Sequence, residues 1–468
     1  MMSALYRSMS GKVKMESKTK LTASPHLQVI MNGAKALVYD SITGNKIIVN
    51  SDALKVIEMI RKGRKAEDIL REYDAPCMEN LTDILVSKKL FFAGQEADVS
   101  ALKGIDEEKI RSGGLLRHLR LNITESCNLD CTYCYEKESA VFTKRRKMDW
   151  EVAKRSIDSF IKVIKQNNQK SVSIRFFGGE PLLNWPLIKR SIAYIKECGL
   201  GGASVTFTVN TNGTLLSEEI IKLFRDHNVY ISLSLDGVEE ENDQFRKFRD
   251  GRGIFNILDK KIMLLARHKA RFGVAVVFYD QNLPHLHKLI DYIKKKQEET
   301  SYRISVNFSP LARINRQDMD NLAAADKAAY LVKAIKYAGQ QGVQCFGGIS
   351  HFPFTKLLYG VRGAFCGGVG AEFSIDPEGN VYPCSGLDIK LGHLDTFMDI
   401  FDTPAYTNIA ARRQGNLPHC KDCAIEGFCA GGCLADVQYS DGDIYGVCRD
   451  CDFQRELFKE LVKNYLLG

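Results

Sequence analysis

LRHLRLNITESCNLDCTYCYE, residues 116–136, joins a strand-like run to a loop that carries three thiols. LRHLRLNI (116–123) reads as a β-strand, and the loop after it places Cys127, Cys131 and Cys134 with three and then two residues between them. Thiolates packed that closely call for a soft metal. Tetrahedral zinc wants a fourth ligand, whereas an iron–sulfur cluster held by three cysteines leaves one iron free to bind something else. The loop offers no obvious fourth protein ligand, and its spacing alone leaves zinc and cluster both open.

Working outward, SVSIRFF (171–177), SVTFTV (204–209), VYISLSL (229–235), FGVAVVFY (272–279) and YRISVNF (302–308) read as further strands, each followed by a helical stretch. Six strand and helix units in succession predict an α/β unit over residues 115–341: a parallel sheet with right-handed crossovers, curled into a partial barrel. The unusual residues fall after the strands. The thiol triplet follows the first, GGEP (178–181) the second, TNGT (211–214) the third and Asp236-Gly237 the fourth. In parallel α/β barrels the chemistry sits on those strand ends, so the four segments are expected at one mouth.

Composition sets the frame for this unit. A chain of 468 residues with 45% hydrophobic and 26% charged residues has room for two or three domains. The N-terminus lacks the apolar core of a signal peptide, and no apolar run approaches the roughly 18 residues of a membrane span. A cytoplasmic protein without membrane contact is expected. The net charge of +8 is mild, and RKGRK (61–65) and KRRK (144–147) read as solvated faces. Fourteen cysteines in a reducing compartment point to metal ligands, reactive groups or packing residues rather than disulfides. Cys77 and Cys198 stand alone and read as buried free thiols.

A smaller module precedes the barrel, at residues 24–95. HLQVIMNGAKALVYDSITGNKIIVN (26–50) reads as strands with a hairpin turn at Gly44-Asn45. Ser51 is a plausible N-cap for DALKVIEMIRKG (52–63), with Leu54, Ile57, Met59 and Ile60 in one stripe. KAEDILREYD (65–74) and ENLTDILVSKKL (79–90) add two amphipathic helices, and LFF (90–92) a closing strand. This order makes a winged-helix-like unit. Its helices are not strongly basic, which weakens a DNA-binding reading, and a sheet edge could instead receive an extended peptide.

Cys127, Cys131 and Cys134, with Tyr133 between the last two, resemble the C-x3-C-x2-C signature of radical S-adenosylmethionine (SAM) enzymes, and FFGGEPLLNW (176–185), TNGTLL (211–216) and SLDG (234–237) resemble other segments of that superfamily. The resemblance implies a [4Fe–4S] cluster on the three cysteines, its free iron chelating SAM. Gly178, Gly179 and Glu180, followed by Pro181, would hold the methionyl amino group. Tyr133, Asn212, Ser234 and Asp236 would lie near the cofactor, and Arg246 is a candidate for its carboxylate. A capped strand end for Ser234 and a surface charge for Arg246 are the plain alternatives.

The region 345–468 is similar to the SPASM extension of radical SAM peptide-modifying enzymes. Cys366, Gly379-x4-Cys384, CKDCAIEGFCAGGC (420–433), Cys448 and Cys451 follow its order. By position, Cys366, Cys384 and Cys433 would hold one auxiliary [4Fe–4S] cluster, and Cys420, Cys423, Cys429 and Cys451 a second, with Cys448 the alternative to Cys451. That makes three clusters in all. The chain reads YGVRGAFC (359–366) where some relatives supply a fourth cysteine to the first auxiliary cluster. Cys345 or Cys448 completes it, or one iron stays open for a substrate thiolate. Ser385 stands where sulfatase-maturating enzymes carry a catalytic aspartate. A serine hydroxyl cannot serve as a base near neutral pH, which counts against formylglycine formation.

The small module resembles the leader-binding element related to the pyrroloquinoline quinone chaperone protein. Together these resemblances imply a maturase of ribosomally made peptides, of the sactipeptide or ranthipeptide type. It would install thioether crosslinks in a precursor peptide held by its leader segment, with electrons from a ferredoxin or flavodoxin. Carbon–carbon crosslinking, epimerisation and formylglycine formation are the nearer alternatives, and a zinc-containing winged-helix regulator the distant one. No nucleic-acid partner is expected.

Overall fold

The computed structural model describes residues 21–64, 68–69, 72–73, 75–93, 107–137, 145–311, 319, 321–345, 353–360 and 363–468. Most of KAEDILREYD and the Cys77 side chain lie outside the described residues.

The N-terminal module begins with β1 (Leu21–Ala23), β2 (Leu27–Asn32), β3 (Lys35–Asp40) and β4 (Lys46–Asn50). Strands β2, β3 and β4 form an antiparallel meander, with Val29 opposite Val38 and Leu37 opposite Ile48. The Gly44-Asn45 turn is where expected: Gly44 N donates to Asp40 O at 3.0 Å, and Asp40 N to Asn45 O at 2.9 Å. Helix Ser51–Arg61 follows. Its cap is Asn50 rather than Ser51, because Asn50 has the extended backbone of a cap and its side chain accepts from Ala53 N. Val56 joins Leu54, Ile57 and Ile60 in the buried stripe, while Met59 is half-buried at its margin. The closing strand β5 (Phe91–Ala93) pairs with β1, outside the meander.

The six expected strands are β6 (His118–Thr124), β7 (Ser171–Gly178), β8 (Ser204–Thr211), β9 (Tyr230–Ser234), β10 (Phe272–Phe278) and β11 (Ser305–Pro310). They are parallel and lie side by side in chain order. Helices between them bury one stripe each: Trp150–Gln166, capped by Asp149, covers the sheet with Ala153, Ile157, Phe160 and Ile164. On β6, Leu119, Leu121 and Ile123 face this core. The opposite face of the sheet is polar and half-buried, carrying Arg120, Arg175, Thr208, Ser234 and Asn307. Period-two alternation therefore gives a greasy outside and a wet inside.

The sheet extends past the expected unit at both edges. Strand β12 (Gln344–Cys345) adds to β11, and β13 (Glu372–Ile375) pairs in parallel with β6. β14 (Asn380–Tyr382) and β15 (Gly392–His393) continue it antiparallel to ten strands. The Cys-rich region is thus hydrogen-bonded directly to the first strand of the barrel. Among the described residues no helix is long and apolar enough to cross a membrane.

Candidate active site

The four segments meet. Gly179 N donates to Thr124 O at 2.8 Å and Glu180 N to Ser126 O at 2.9 Å, so GGEP is zipped by its backbone to the start of the thiol loop. A Cβ at Gly178 would lie 2.1 Å from Thr124 O, and one at Gly179 2.4 Å from Ser126 O. Gly178 also has φ +128, a conformation side chains rarely adopt. Both glycines are therefore required by the closeness of the two strand ends.

Glu180 is fully buried and caps its own turn. Its carboxylate accepts from Leu182 N at 3.1 Å, Thr211 Oγ1 at 2.7 Å and Asn212 N at 2.8 Å, tying the second strand end to the third. Burial pushes Glu180 up to about 7, against the three hydrogen bonds that favour its charge. Asn212 Nδ2 donates to Asn128 Oδ1 at 2.9 Å, Thr214 Oγ1 to Asn212 Oδ1 at 2.7 Å, and Asn128 Nδ2 to Thr214 Oγ1 at 2.9 Å. This ring links TNGT to the loop between Cys127 and Cys131. Leu129 N donates to Cys127 Sγ at 3.4 Å.

The fourth strand end closes the other side. Tyr133 O–H donates to Asp236, which also accepts from Arg246 Nε at 2.7 Å, Arg246 Nη2 at 3.3 Å and Val277 N at 2.9 Å. Arg246 is buried, not the surface charge of the plain alternative. Burial alone would lower its guanidinium, but the Asp236 carboxylate outweighs that and holds it up. Its side chain is committed to Asp236, which leaves it a wall of the site. Asp130 N and Thr132 N donate to Lys247 O and Phe245 O, so the thiol loop is held on both flanks. Pro181 and Asn212 are buried beside Glu180, and Ser234 is half-buried at the end of β9.

Sequence reasoning missed several members. Arg146, read as part of a solvated run, donates to Glu125 Oε1 from Nε at 3.0 Å and fixes the residue two before Cys127. Asn128 carried a signal, as the only amide between the cysteines, but no pattern joined it to Thr214. Tyr135 and Glu136 follow the triplet and turn back to the inner sheet face: Tyr135 Oη lies 3.3 Å from Ser385 Oγ, and burial pushes Glu136 up to about 8. Arg120 donates to Ser385 and pairs with Glu372 at 2.8 Å.

The C-terminal thiols fall into two groups. Cys366, Cys384 and Cys433 lie near enough for a charge on one to disfavour a charge on the next, on top of the burial that pushes all three thiols up. A Cβ added at Gly368 would meet both Cys366 Sγ at 3.5 Å and Cys384 Cβ at 3.6 Å. Cys420, Cys423, Cys429 and Cys451 form the other group. Cys448 is a free thiol buried between them: its Sγ donates to Asp436 Oδ2 at 3.0 Å and lies within hydrogen-bonding reach of the Cys451 thiol, and it lies against Gly432 beside Cys433. Cys345 does not join the first group. It sits on β12 with Tyr465 as its neighbour, because strand pairing carries it to the far edge of the sheet. Cys198 is only half-buried, at the end of helix Trp185–Cys198. Among the described residues no three His, Cys, Asp or Glu side chains are close enough to share a single metal ion.

Residues 121–293 match the Radical SAM superfamily. The chain carries a radical SAM domain. It is an enzyme of that kind, working with SAM and [4Fe–4S] clusters, and the three thiols held by a glycine cradle at the barrel mouth fit such a group. Residues 366–424 match the SPASM iron–sulfur cluster-binding domain, which removes the zinc-regulator alternative. The radical SAM cyclopropyl synthase TigE of Paramaledivibacter caminithermalis is 23% identical over 91% of this chain and 92% of its own. A cysteine-type anaerobic sulfatase-maturating enzyme of Clostridium novyi is 24% identical over 66% of this chain and 85% of its own. Two solved structures share the radical SAM fold. One is anSMEcpe with bound AdoMet (TM-score 0.62, 19% identity, 75% of this chain and 98% of that one). The other is Streptococcus suis SuiB with S-adenosylmethionine (TM-score 0.53, 14% identity, 92% and 99%).

Proposed function

We propose that this radical SAM enzyme is a SPASM peptide maturase that installs thioether crosslinks, from cysteine sulfur to carbon, in a ribosomally made precursor peptide. One observation carries the reading. Three thiols, Cys366, Cys384 and Cys433, border the polar inner face of the barrel, with no carboxylate at position 385. A cluster on three cysteines has an iron open to a substrate thiolate. Ser385, bound to Arg120, cannot take the proton that formylglycine formation requires.

In this reading Cys127, Cys131 and Cys134 hold the SAM-binding cluster, Gly178, Gly179, Glu180 and Pro181 frame the SAM amino group, and Asn212 and Ser234 line its other side. Asp236 and Arg246 hold Tyr133 and so the loop. Cys420, Cys423, Cys429 and Cys451 hold the second auxiliary cluster. The bound cofactors supply one-electron cleavage of SAM and hydrogen abstraction from the substrate. The chain's own residues orient SAM, exclude water and present the peptide to the inner face. Residues 24–95, 115–341 and 345–468 serve as leader-recognition module, barrel and SPASM domain. The SuiB structure with precursor peptide SuiA supports a peptide partner of this kind. A leader held on the N-terminal module would raise the local concentration of the core peptide. A ferredoxin or flavodoxin in the cytoplasm would supply electrons.

Carbon–carbon bond formation is the second reading, favoured by the similarity to a cyclopropyl synthase along almost the whole chain. Mass spectrometry with thiol alkylation separates the two, using the cysteine-containing peptide encoded beside the gene and co-expressed with the enzyme. Loss of two hydrogens with fewer alkylatable thiols establishes the thioether. The same loss with unchanged thiols sinks it in favour of the carbon–carbon link. Cys131→Ala with Cys134→Ala is expected to abolish 5′-deoxyadenosine release and leave leader binding intact.

A further inference from the structure

The second group of thiols comes from two separate pieces of chain: the loop holding Cys420, Cys423 and Cys429, and Cys451 at the start of helix Cys451–Tyr465. A side chain from neither piece joins them. Tyr39, on the middle strand of the N-terminal meander, is fully buried. Its ring lies 5.9 Å from Phe428 of the loop and 5.7 Å from Phe458 of the helix, and those two stack on each other at 5.4 Å. Its O–H donates to Ala424 O at 3.0 Å, immediately after Cys423.

The turn after β3 makes a second, independent contact. Gly427 N donates to Ser41 O at 2.7 Å, two residues before Cys429. A Cβ at Gly427 would stand 2.4 Å from Ile42 O and 2.6 Å from Ser41 O. The turn is itself rigid, since Asp40 Oδ1 accepts from Ile42 N at 2.9 Å and Thr43 N at 2.7 Å. Strand alternation explains the double duty of β3: Ala36 and Val38 serve the module's own core, while Leu37 and Tyr39 belong to the core of the rest of the chain.

We infer that the N-terminal module is a built-in wall of the second auxiliary cluster site, with Tyr39 and the Ser41–Ile42 turn as positioning residues that hold the Cys420–Cys429 loop against the Cys451 helix. This rests on the assignment of Cys420, Cys423, Cys429 and Cys451 to that cluster. It also gives the module a task beyond substrate capture. A ligand that binds the module more tightly with these contacts made than with them broken would be linked to the cluster.

The test uses full-length holoenzyme purified without oxygen, with Tyr39→Ala, Tyr39→Phe, Gly427→Ala and, as reference, Cys429→Ala. Iron per chain, the rate of iron loss to a chelator, and the SAM-induced change in the electron paramagnetic resonance of the first cluster are measured. About twelve irons are expected in the wild type and about eight in Cys429→Ala. In Tyr39→Ala and Gly427→Ala, about four irons leave roughly 10–100-fold faster than in the wild type, the usual effect of removing support around a metal site. The SAM-dependent signal persists, and Tyr39→Phe, which keeps the rings, retains its iron within about threefold of the wild-type rate. Wild-type iron loss in both Tyr39→Ala and Gly427→Ala, with Cys429→Ala short of four, overturns the inference while leaving the ligand assignment intact. Equal loss from all three clusters also overturns it, because that is general unfolding. A full iron complement in Cys429→Ala removes the assignment and the inference with it.

Discussion

Replacing Gly179 by alanine isolates what the closeness of the first two strand ends is worth. Unlike Gly178, Gly179 has no left-handed backbone, so the change adds crowding and little else. The new Cβ would stand 2.4 Å from Ser126 O, whereas ordinary contact begins near 3.4 Å, so the thiol loop must retreat by about 1 Å. Overpacking of this kind costs about 1–3 kcal/mol. The retreat also stretches the bonds from Gly179 N to Thr124 O and from Glu180 N to Ser126 O, worth about 0.5–1.5 kcal/mol each. Cys127 directly follows Ser126, so the displacement passes into the first thiol. A misplacement of 1 Å at a reacting centre costs about 10²-fold in rate. The assay is 5′-deoxyadenosine release under reducing, anaerobic conditions, with iron content measured on the same sample. Gly339→Ala is the control: it sits in helix Ala324–Gln340 with nothing within 4 Å of its Cβ, and should stabilise the chain by about 0.5–1 kcal/mol with the rate unchanged. Wild-type release and iron content in Gly179→Ala would refute the account of the cradle.

Arg246→Leu leaves Asp236 buried without its guanidinium and should cost about 3–5 kcal/mol in chemical denaturation, a loss that Arg246→Lys does not restore because lysine cannot make the forked contact. Burial lowers the His118 imidazole, whose Nδ1 lies 2.7 Å from Ser173 Oγ, so the unfolded chain binds the proton more tightly. Stability should therefore rise with pH up to about 6.5 and level off above it, and His118→Gln should flatten that rise in thermal melts across the same window. Cys345→Ser is expected to leave iron per chain unchanged, since β12 carries Cys345 to the sheet edge beside Tyr465; a loss of iron in quantitative analysis counts against its exclusion from the first auxiliary site. Ser385→Ala should keep crosslinking within about tenfold of the wild type if the hydroxyl is no base; a loss in the 10²–10⁴ range of general-base removal, read by mass spectrometry of the peptide, restores it to the chemistry.

Much of the site could be read from local spacing. The triplet, GGEP, TNGT and Asp236-Gly237 each follow a strand, and period-two runs with intervening helices force parallel strands whose C-terminal ends share one edge. The C-terminal cysteines were legible only through their order, which resembles a SPASM extension. Other residues carried no such mark. Arg146 looked like one of four cations in a row until folding set it against Glu125. Arg246 read as a candidate for the SAM carboxylate, with a surface charge as the alternative, until the helix Glu239–Phe245 turned it under Asp236.

The chain alone determined the α/β class and the mouth at which the segments meet, since these follow from the two-residue period of strands and the helices between them; the sorting of the C-terminal thiols into sets came only through a family resemblance. Tertiary structure decided what no local pattern encodes. Pairing of β13 with β6 joins the Cys-rich region to the barrel, β12 removes Cys345 from the other thiols, and β3 brings Tyr39 to the Cys420–Cys429 loop from nearly four hundred residues away. Those contacts depend on which hydrophobic faces find each other in three dimensions, and sequence separation carries no information about that choice.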